Sequence, residues 1–118
     1  MRDSSLDVIR GTLDVLILKT LSWGPLHGYA IAQIIQQQTD DALLVEEGAL
    51  YPALYRMESK EWIEAEWGIT DNNRRAKYYR LTPEGRRRLR AETRTWERYA
   101  EAVGKVLSAS GRPEPERS

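Results

Sequence analysis

Among its 118 residues the chain has no cysteine and a single histidine. The first absence excludes a disulfide framework and any thiolate metal site, and the two together argue against a zinc centre. Long hydrophobic runs are missing as well. The most apolar stretch, Val15 to Leu18, is far below the roughly 20 residues of a membrane span, and the opening MRDSSLDVIRG lacks the apolar segment of a signal peptide. A cytoplasmic protein with no membrane partner is the expectation. Net charge is also lacking, since 18 Lys plus Arg balance 18 Asp plus Glu. Taken as one number, that zero argues against a nucleic-acid partner, whose footprint is usually basic.

Read along the chain, the zero separates into two opposed blocks. Residues 40–66 hold Asp40, Asp41, Glu46, Glu47, Glu58, Glu61, Glu64 and Glu66 against only Arg56 and Lys60, a net −6, whereas residues 71–98 carry a net +6. The molecule is polarised rather than neutral.

What is present supports one folded domain. Hydrophobic residues make up 41% of the chain, with four Trp and six Tyr, enough for a single core and too little chain for two. Residues 11–22 are apolar nearly all round (Leu13, Val15, Leu16, Ile17, Leu18, Leu21), as in a helix buried against several partners. Gly24-Pro25 interrupts it. Residues 28–38 resume with Ala30, Ile31, Ile34 and Ile35 on one face and Gln33, Gln36 and Gln37 on the other. A third helix is predicted from about Glu47 to Lys60, with Leu50, Leu54, Met57 and Glu61 following one stripe. Pro52 leaves two options, a start near Ala49 to Tyr51 or an earlier start with a weakened first turn.

The period then changes from helical to alternating. Trp62 to Ile69 sets Ile63, Ala65, Trp67 and Ile69 against Trp62, Glu64 and Glu66, and Ala76 to Leu81 supplies a second strand. Thr70 to Arg75 between them has the Asp and Asn that suit a turn, which predicts a hairpin with a basic tip. Thr82-Pro83-Glu84 reads as a helix start, with a hydroxyl cap, a proline in the first turn and an acid near the N-terminus. That last helix is expected to reach Leu107. Its positions Leu89, Thr93, Trp96, Ala100, Val103 and Leu107 are spaced as in a coiled-coil seam.

The order predicts a mainly α fold with a small β-hairpin (α+β), a winged helix-turn-helix followed by a long C-terminal dimerisation helix. The corresponding division is residues 1–82 for DNA binding, 83–108 for dimerisation and 109–118 as a disordered tail. With Leu50 facing the core, Gly48, Pro52, Tyr55 and Ser59 turn outward, flanked by Tyr51 and Arg56. Small residues permit close approach, tyrosine reaches phosphate or sugar, and arginine reaches phosphate or a guanine edge. The two tyrosines also suit simple packing. Arg74, Arg75 and Lys77 cluster where no core needs them, and phosphate is the obvious partner. Arg86, Arg87, Arg88 and Arg90 extend the basic block, and a structural reading is favoured for them, some pairing with Glu84, Glu92 or the acids of the first strand.

In the segments GTLDVLILKTL (11–21), GPLHGYAIAQII (24–35), EEGALYPALYRMESKEWI (46–63) and NNRRAKYYRLTPEGRR (72–87) the chain resembles PadR-type transcriptional regulators of the short form. The resemblance implies a cytoplasmic dimeric repressor that binds a double-stranded DNA operator, its last helix packed on the first helix of the partner. DNA contacts are thereby expected at Gly48, Ala49, Tyr51, Pro52, Tyr55, Arg56, Arg74, Arg75 and Lys77. Alanine at position 49 removes a hydroxyl that relatives often carry. Glu46 and Glu47 are expected to cap the third helix. Dimerisation is expected through Leu13, Leu16, Leu89, Trp96, Ala100, Val103 and Leu107.

Trp96 could also line a pocket for a planar small-molecule effector, as the resemblance implies, although a seam tryptophan more often serves a core. For His27, capping or packing outweighs metal ligation or pH sensing. No cofactor is implied. A rival reading is a protein-interaction adaptor using the acidic strip of residues 40–66, but an adaptor has no use for three clustered wing bases. Nothing resembles a nucleophile with its base, a phosphate loop or a metal-ligand cluster, so an enzyme is not expected.

Overall fold

Element boundaries fall where caps and chain breakers put them. The computed structural model describes residues 5–115, with side chains from Thr12 onward in the first helix. It contains α1 (Ser5–Leu21), β1 (Leu26–His27), α2 (Gly28–Gln38), α3 (Glu47–Ser59), β2 (Ile63–Ile69), β3 (Arg75–Leu81) and α4 (Pro83–Leu107). This is the expected α+β winged-helix arrangement, with one strand that the sequence reading lacked. Leu26 and His27 pair with Tyr79 and Tyr78, so the sheet has three antiparallel strands in the order β1-β3-β2. A two-residue strand has no periodicity to read.

The first helix begins upstream of the expected residue 11, at Ser5. α2 has the expected bounds, and its cap is His27, whose Nδ1 accepts from the Ala30 N–H at 3.3 Å. α3 takes the earlier of the two starts that Pro52 left open, at Glu47. Glu46 occupies the N-cap position but its side chain makes no capping bond, contrary to expectation; the carboxylate stays in solvent and acts only through the helix dipole. Glu61 does not extend the α3 stripe. The helix ends at Ser59, and Glu61 lies exposed in the left-handed region at φ 62°.

One core joins these elements. It consists of Leu13, Ile17, Leu18 and Leu21 from α1, Ile31 and Ile35 from α2, Leu50, Ala53, Leu54 and Met57 from α3, and Ile63, Tyr79 and Leu81 from the sheet. Each fully buried large side chain contributes on the order of 1.5–3 kcal/mol.

The base of α4 is tied to this body by a joint at Thr82 and by Leu89, which packs on the core. Thr82 Oγ1 accepts from the Gly85 N–H at 3.0 Å, and Thr82 N–H donates to the Trp62 carbonyl at 3.1 Å. Helix and turn approach so closely that a Cβ on Gly85 would stand 2.0 Å from the Trp62 oxygen. Beyond this base α4 leaves the body, and from Arg94 to Leu107 every side chain is exposed. The segment 109–115 is exposed and without regular structure, and residues 116–118 of the expected tail lie outside the described residues.

Candidate nucleic-acid interface

Burial of Leu50, Ala53, Leu54 and Met57 fixes the rotation of α3. Its opposite face therefore presents Gly48, Ala49, Tyr51, Pro52 and Tyr55 to solvent. Tyr55 is 73% exposed and Tyr51 44%, so neither tyrosine is a core residue. Nothing lies within 4 Å of where a Gly48 side chain would begin. The result is a low strip of helix surface carrying two phenols, each able to donate and accept. Tyr51 leans back over the start of α2, where a Cβ on Gly28 would meet its hydroxyl at 2.8 Å. Glycine at position 28 thus leaves room for the Tyr51 ring.

Arg56 departs from expectation. Its Nη2 donates to Asp14 Oδ1 of α1 at 2.6 Å, so the one base of α3 is tied to the protein body instead of projecting outward.

The wing is a closed, well-bonded hairpin. Thr70 N–H donates to the Arg74 carbonyl and Asn73 N–H to the Thr70 carbonyl, both at 2.8 Å. Asn73 adopts the left-handed conformation, φ 64°, which asparagine tolerates. On the outer face of the sheet the Tyr78 hydroxyl donates to the Ile69 carbonyl at 3.3 Å. The Tyr78 ring covers Gly68 so closely that a Cβ there would lie 2.9 Å from it.

Of the three wing bases, Arg74 is exposed and enters no ion pair among the described residues. Arg75 lies over the Trp67 ring, 4.6 Å from its centroid. Lys77 is not free as expected; its Nζ is 3.6 Å from Glu58 Oε1 of α3 and 5.9 Å from the Tyr79 ring centroid. Burial above all, then the nearby Glu58 and Tyr51, raise the pKa of Tyr79 above its ordinary value and keep it a neutral phenol.

Between wing and helices runs an open groove of about 1100 Å³, lined on one side by Tyr29, Gln33 and Tyr51 and on the other by Trp67, Asn72 and Arg74. Tyr29, Gln33 and Trp67 were not among the expected contacts. Tyr29 and Gln33 stand four apart on α2, one turn on the same face, a spacing that would have revealed them.

Part of the rest of the positive block is neutralised. Arg80 pairs with Glu64 at 2.9 Å and Glu66 at 3.8 Å, Arg87 with Glu84 at 2.6 Å, and Arg88 with Glu92. Arg87 and Arg88 thus follow the structural reading of the helix-start arginines, whereas Arg86 and Arg90, and Arg94 and Arg98 farther along α4, are exposed and enter no ion pair among the described residues. Among the described residues no group of three or more His, Asp or Glu is placed to hold a metal ion, and no helix is long and apolar enough to cross a membrane.

The expected dimerisation residues divide. Trp96 (41% exposed), Ala100, Val103 and Leu107 stand on the exposed stretch of α4, with the Trp96 and Tyr99 ring centroids 5.9 Å apart. Leu13 is 2% exposed within its own core and Leu89 packs on that core. Leu13 is corrected to a core residue, because intrachain packing already uses its surface, whereas Leu89 is only partly buried. Leu16 is half-buried against the same core. A shallow hollow lined by Tyr99, Ala102 and Lys105 lies near the seam, but Trp96 is not part of its wall.

Comparison with known proteins gives a consistent picture. The model of the transcriptional regulator PadR-like family matches residues 17–91. A transcriptional regulator from Clostridium thermocellum is 34% identical with a TM-score of 0.79, covering 86% of this chain and 99% of that one. A PadR family transcriptional regulator from Eggerthella lenta is 35% identical with a TM-score of 0.73, covering 90% of each chain. A transcriptional regulator of Mycobacterium tuberculosis is 31% identical over 94 residues, 80% of this chain and 84% of that protein.

Proposed function

This chain belongs to the PadR-like family of transcriptional regulators, and from that premise we propose that it is a dimeric, sequence-specific DNA-binding repressor. The observation that carries this reading is the outward strip of α3, Gly48, Ala49, Tyr51, Pro52 and Tyr55, standing beside a wing that carries Arg74 and Arg75. A low helix face enters the major groove while exposed wing cations neutralise phosphates. Residues 1–82 form the DNA-binding unit, residues 83–108 the dimerising helix, and residues 109–118 a tail outside both.

The exposed half of α4, with Trp96, Tyr99, Val103 and Leu107 on its surface, supports pairing with a second copy. A two-fold dimer presents two α3 helices to half-sites about 34 Å apart on a pseudo-palindromic operator. The aromatic pair of Trp96 and Tyr99 supports a planar small molecule, bound between paired helices, as the signal that relieves repression.

The test is a fluorescence-anisotropy titration with the DNA upstream of the protein's own gene at two salt concentrations, alongside selection from a random duplex pool. Nanomolar binding that weakens steeply with salt and selects an inverted repeat supports the reading. Salt-indifferent binding, or no enriched sequence, overturns it.

A further inference from the structure

The strand order β1-β3-β2 leaves β2 at the edge of the sheet, and among the described residues no strand lies beyond it. The hydrogen bonds at the two ends of the hairpin fix which groups point outward. Thr70 N–H donates to the Arg74 carbonyl and Thr82 N–H to the Trp62 carbonyl. In a register that opposes Glu64 to Arg80 and Glu66 to Tyr78, these bonds make the even-numbered residues of β2 the ones bonded to β3. Ile63, Ala65, Trp67 and Ile69 therefore direct their N–H and C=O groups to the open edge. Their side chains share one face of the sheet, and on it Trp67 is 58% and Ile69 59% exposed.

An open edge is ordinarily blunted by proline, lysine or a bulge. The β2 sequence, IEAEWGI, has neither residue, and its register against β3 runs unbroken from Ile63 to Ile69. Its two charges, Glu64 and Glu66, lie on the other face and are both taken up by Arg80, at 2.9 and 3.8 Å. The strand is thus a template for another extended chain.

A second copy of β2 fits antiparallel in one register. Pairing about Glu64 or Glu66 sets that glutamate against itself, and pairing about Ala65 sets Glu64 against Glu66; like charges directly opposite are unfavourable. Pairing about Gly68 leaves only residues 67–69 of each strand in contact. About Trp67, by contrast, the glutamates fall opposite Gly68 and Thr70, the two indoles meet, and each Ala65 faces the Ile69 of the other copy, small against large. The pairs Trp67–Trp67 and Ala65–Ile69 then use every outward main-chain group from Ala65 to Ile69. The Ile69 carbonyl, which accepts from the Tyr78 hydroxyl at 3.3 Å, keeps a second lone pair for this.

The two-fold axis of such a pair stands perpendicular to the sheet, so the two Thr70–Arg74 turns point to opposite ends. Each wing then faces a different stretch of duplex, which copies paired along α4 on one operator do not.

We propose that β2 joins copies from different dimers edge to edge into a sheet ordered β1-β3-β2-β2-β3-β1, and that this contact holds two separate duplex segments on opposite sides of the assembly. The bridging rests on the DNA-binding reading above; the strand pairing does not. One short strand makes less than a standard interface, so the contact forms in concentrated solution, and in dilute solution where two sites on one DNA hold the copies close.

The chain has no cysteine, so introduced ones report the register. In the proposed pair the two Trp67 Cα atoms stand about 5.5 Å apart, within reach of a disulfide, whereas the two Glu64 Cα atoms are roughly 20 Å apart. Under mild oxidation the full chain carrying Trp67→Cys is expected to cross-link at least about tenfold faster than that carrying Glu64→Cys. Ala65→Pro removes an N–H from the open edge and leaves the bonds to β3 in place. In sedimentation velocity over a concentration series the wild type is expected to pass from two chains to four, while Ala65→Pro stays at two and binds a single operator as the wild type does. On beads carrying one operator duplex, the wild type captures a second, dye-labelled operator duplex, and Ala65→Pro captures at least about tenfold less. Thermal melting verifies folding, and the cysteine comparison does not depend on how Ala65→Pro folds.

Equal cross-linking at positions 64 and 67, or a wild type that never exceeds two chains, overturns the strand pairing and leaves the DNA-binding reading intact. Four-chain species that bind operator yet capture no second duplex overturn the bridging. A wild type that binds no duplex specifically overturns the DNA-binding reading and the bridging together, and the cross-link still decides the pairing.

Discussion

Arg56 Nη2 donates to Asp14 Oδ1 at 2.6 Å, so the only base of α3 is neutralised by a carboxylate of α1. Phosphate and Asp14 compete for the same guanidinium. Replacing Asp14 with asparagine releases it at little cost, because partly exposed ion pairs contribute at most about 1 kcal/mol. The expected outcome for Asp14→Asn is a thermal midpoint near that of the wild type and a several-fold gain in affinity for random duplex. The dependence of log affinity on log salt steepens by about one unit. Anisotropy titrations over a salt series read both; an unchanged slope would show that Arg56 does not reach the backbone.

The wing bases are predicted to be unequal. Arg74 has no acidic partner among the described residues, whereas Lys77 already faces Glu58 at 3.6 Å. Arg74→Ala is expected to weaken binding to specific and random duplexes alike and to flatten the salt slope by about one unit. Lys77→Ala is expected to do less, and Glu58→Gln to strengthen non-specific binding by freeing Lys77. Equal effects of the two alanine variants would contradict this ranking.

Much of this was legible before any coordinates. The 28–38 and 83–107 helices announce themselves through period and caps: Thr82-Pro83 starts α4 and His27 starts α2 where the local chemistry requires. The outward α3 face follows from the position of Leu50 alone. Pairings between distant segments were not legible. Asp14 meets Arg56 across 42 positions of chain, and Lys77 meets Glu58 only because β3 folds back beside α3. A motif of free cations on paper becomes a graded set once acids from other elements arrive. The assignment of Leu13 to a dimer interface failed for a related reason, since a helical stripe does not say whether the same chain or a second copy covers it.

Gly28 separates stability from binding. A methyl group there would meet Tyr51 at 2.8 Å, but the obstacle is the far end of an exposed, movable side chain. Gly28→Ala is therefore expected to cost less than about 1 kcal/mol of stability, and alanine's better helix propensity offsets part of that. Operator affinity is expected to fall about tenfold as Tyr51 is pushed from its position. Chemical denaturation and a titration with the selected operator test the two halves. Tyr51→Phe keeps the ring in place and distinguishes loss of the hydroxyl from loss of position.

Gly85 gives the opposite pattern. Its would-be Cβ stands 2.0 Å from the Trp62 backbone oxygen, and backbone cannot swing aside. Gly85→Ala is expected to destabilise the fold by about 3 kcal/mol or more, with the base of α4 displaced from the α3–β2 turn. A lowered denaturation midpoint checks it. An alanine variant as stable as the wild type would mean that the close approach at this joint is not required.

The exposed stretch of α4 provides the test of assembly. Val103 and Leu107 lie far from the intrachain core, in a stretch where every side chain from Arg94 onward is exposed, so placing a carboxylate at either has no folding role to disturb. In a dimer paired along this helix, Val103→Glu faces its own copy or a neighbouring apolar residue, and buried like charges are strongly unfavourable. Sedimentation of Val103→Glu is expected to give a monomer with an unchanged far-ultraviolet spectrum. Affinity for the inverted repeat falls by at least about a hundredfold, because each half-site is then bound alone and the gain from linking two sites is lost. A variant that remains dimeric would place the partner contact elsewhere on the molecule, and one that is monomeric yet binds the full operator as tightly as the wild type would remove the two-fold model.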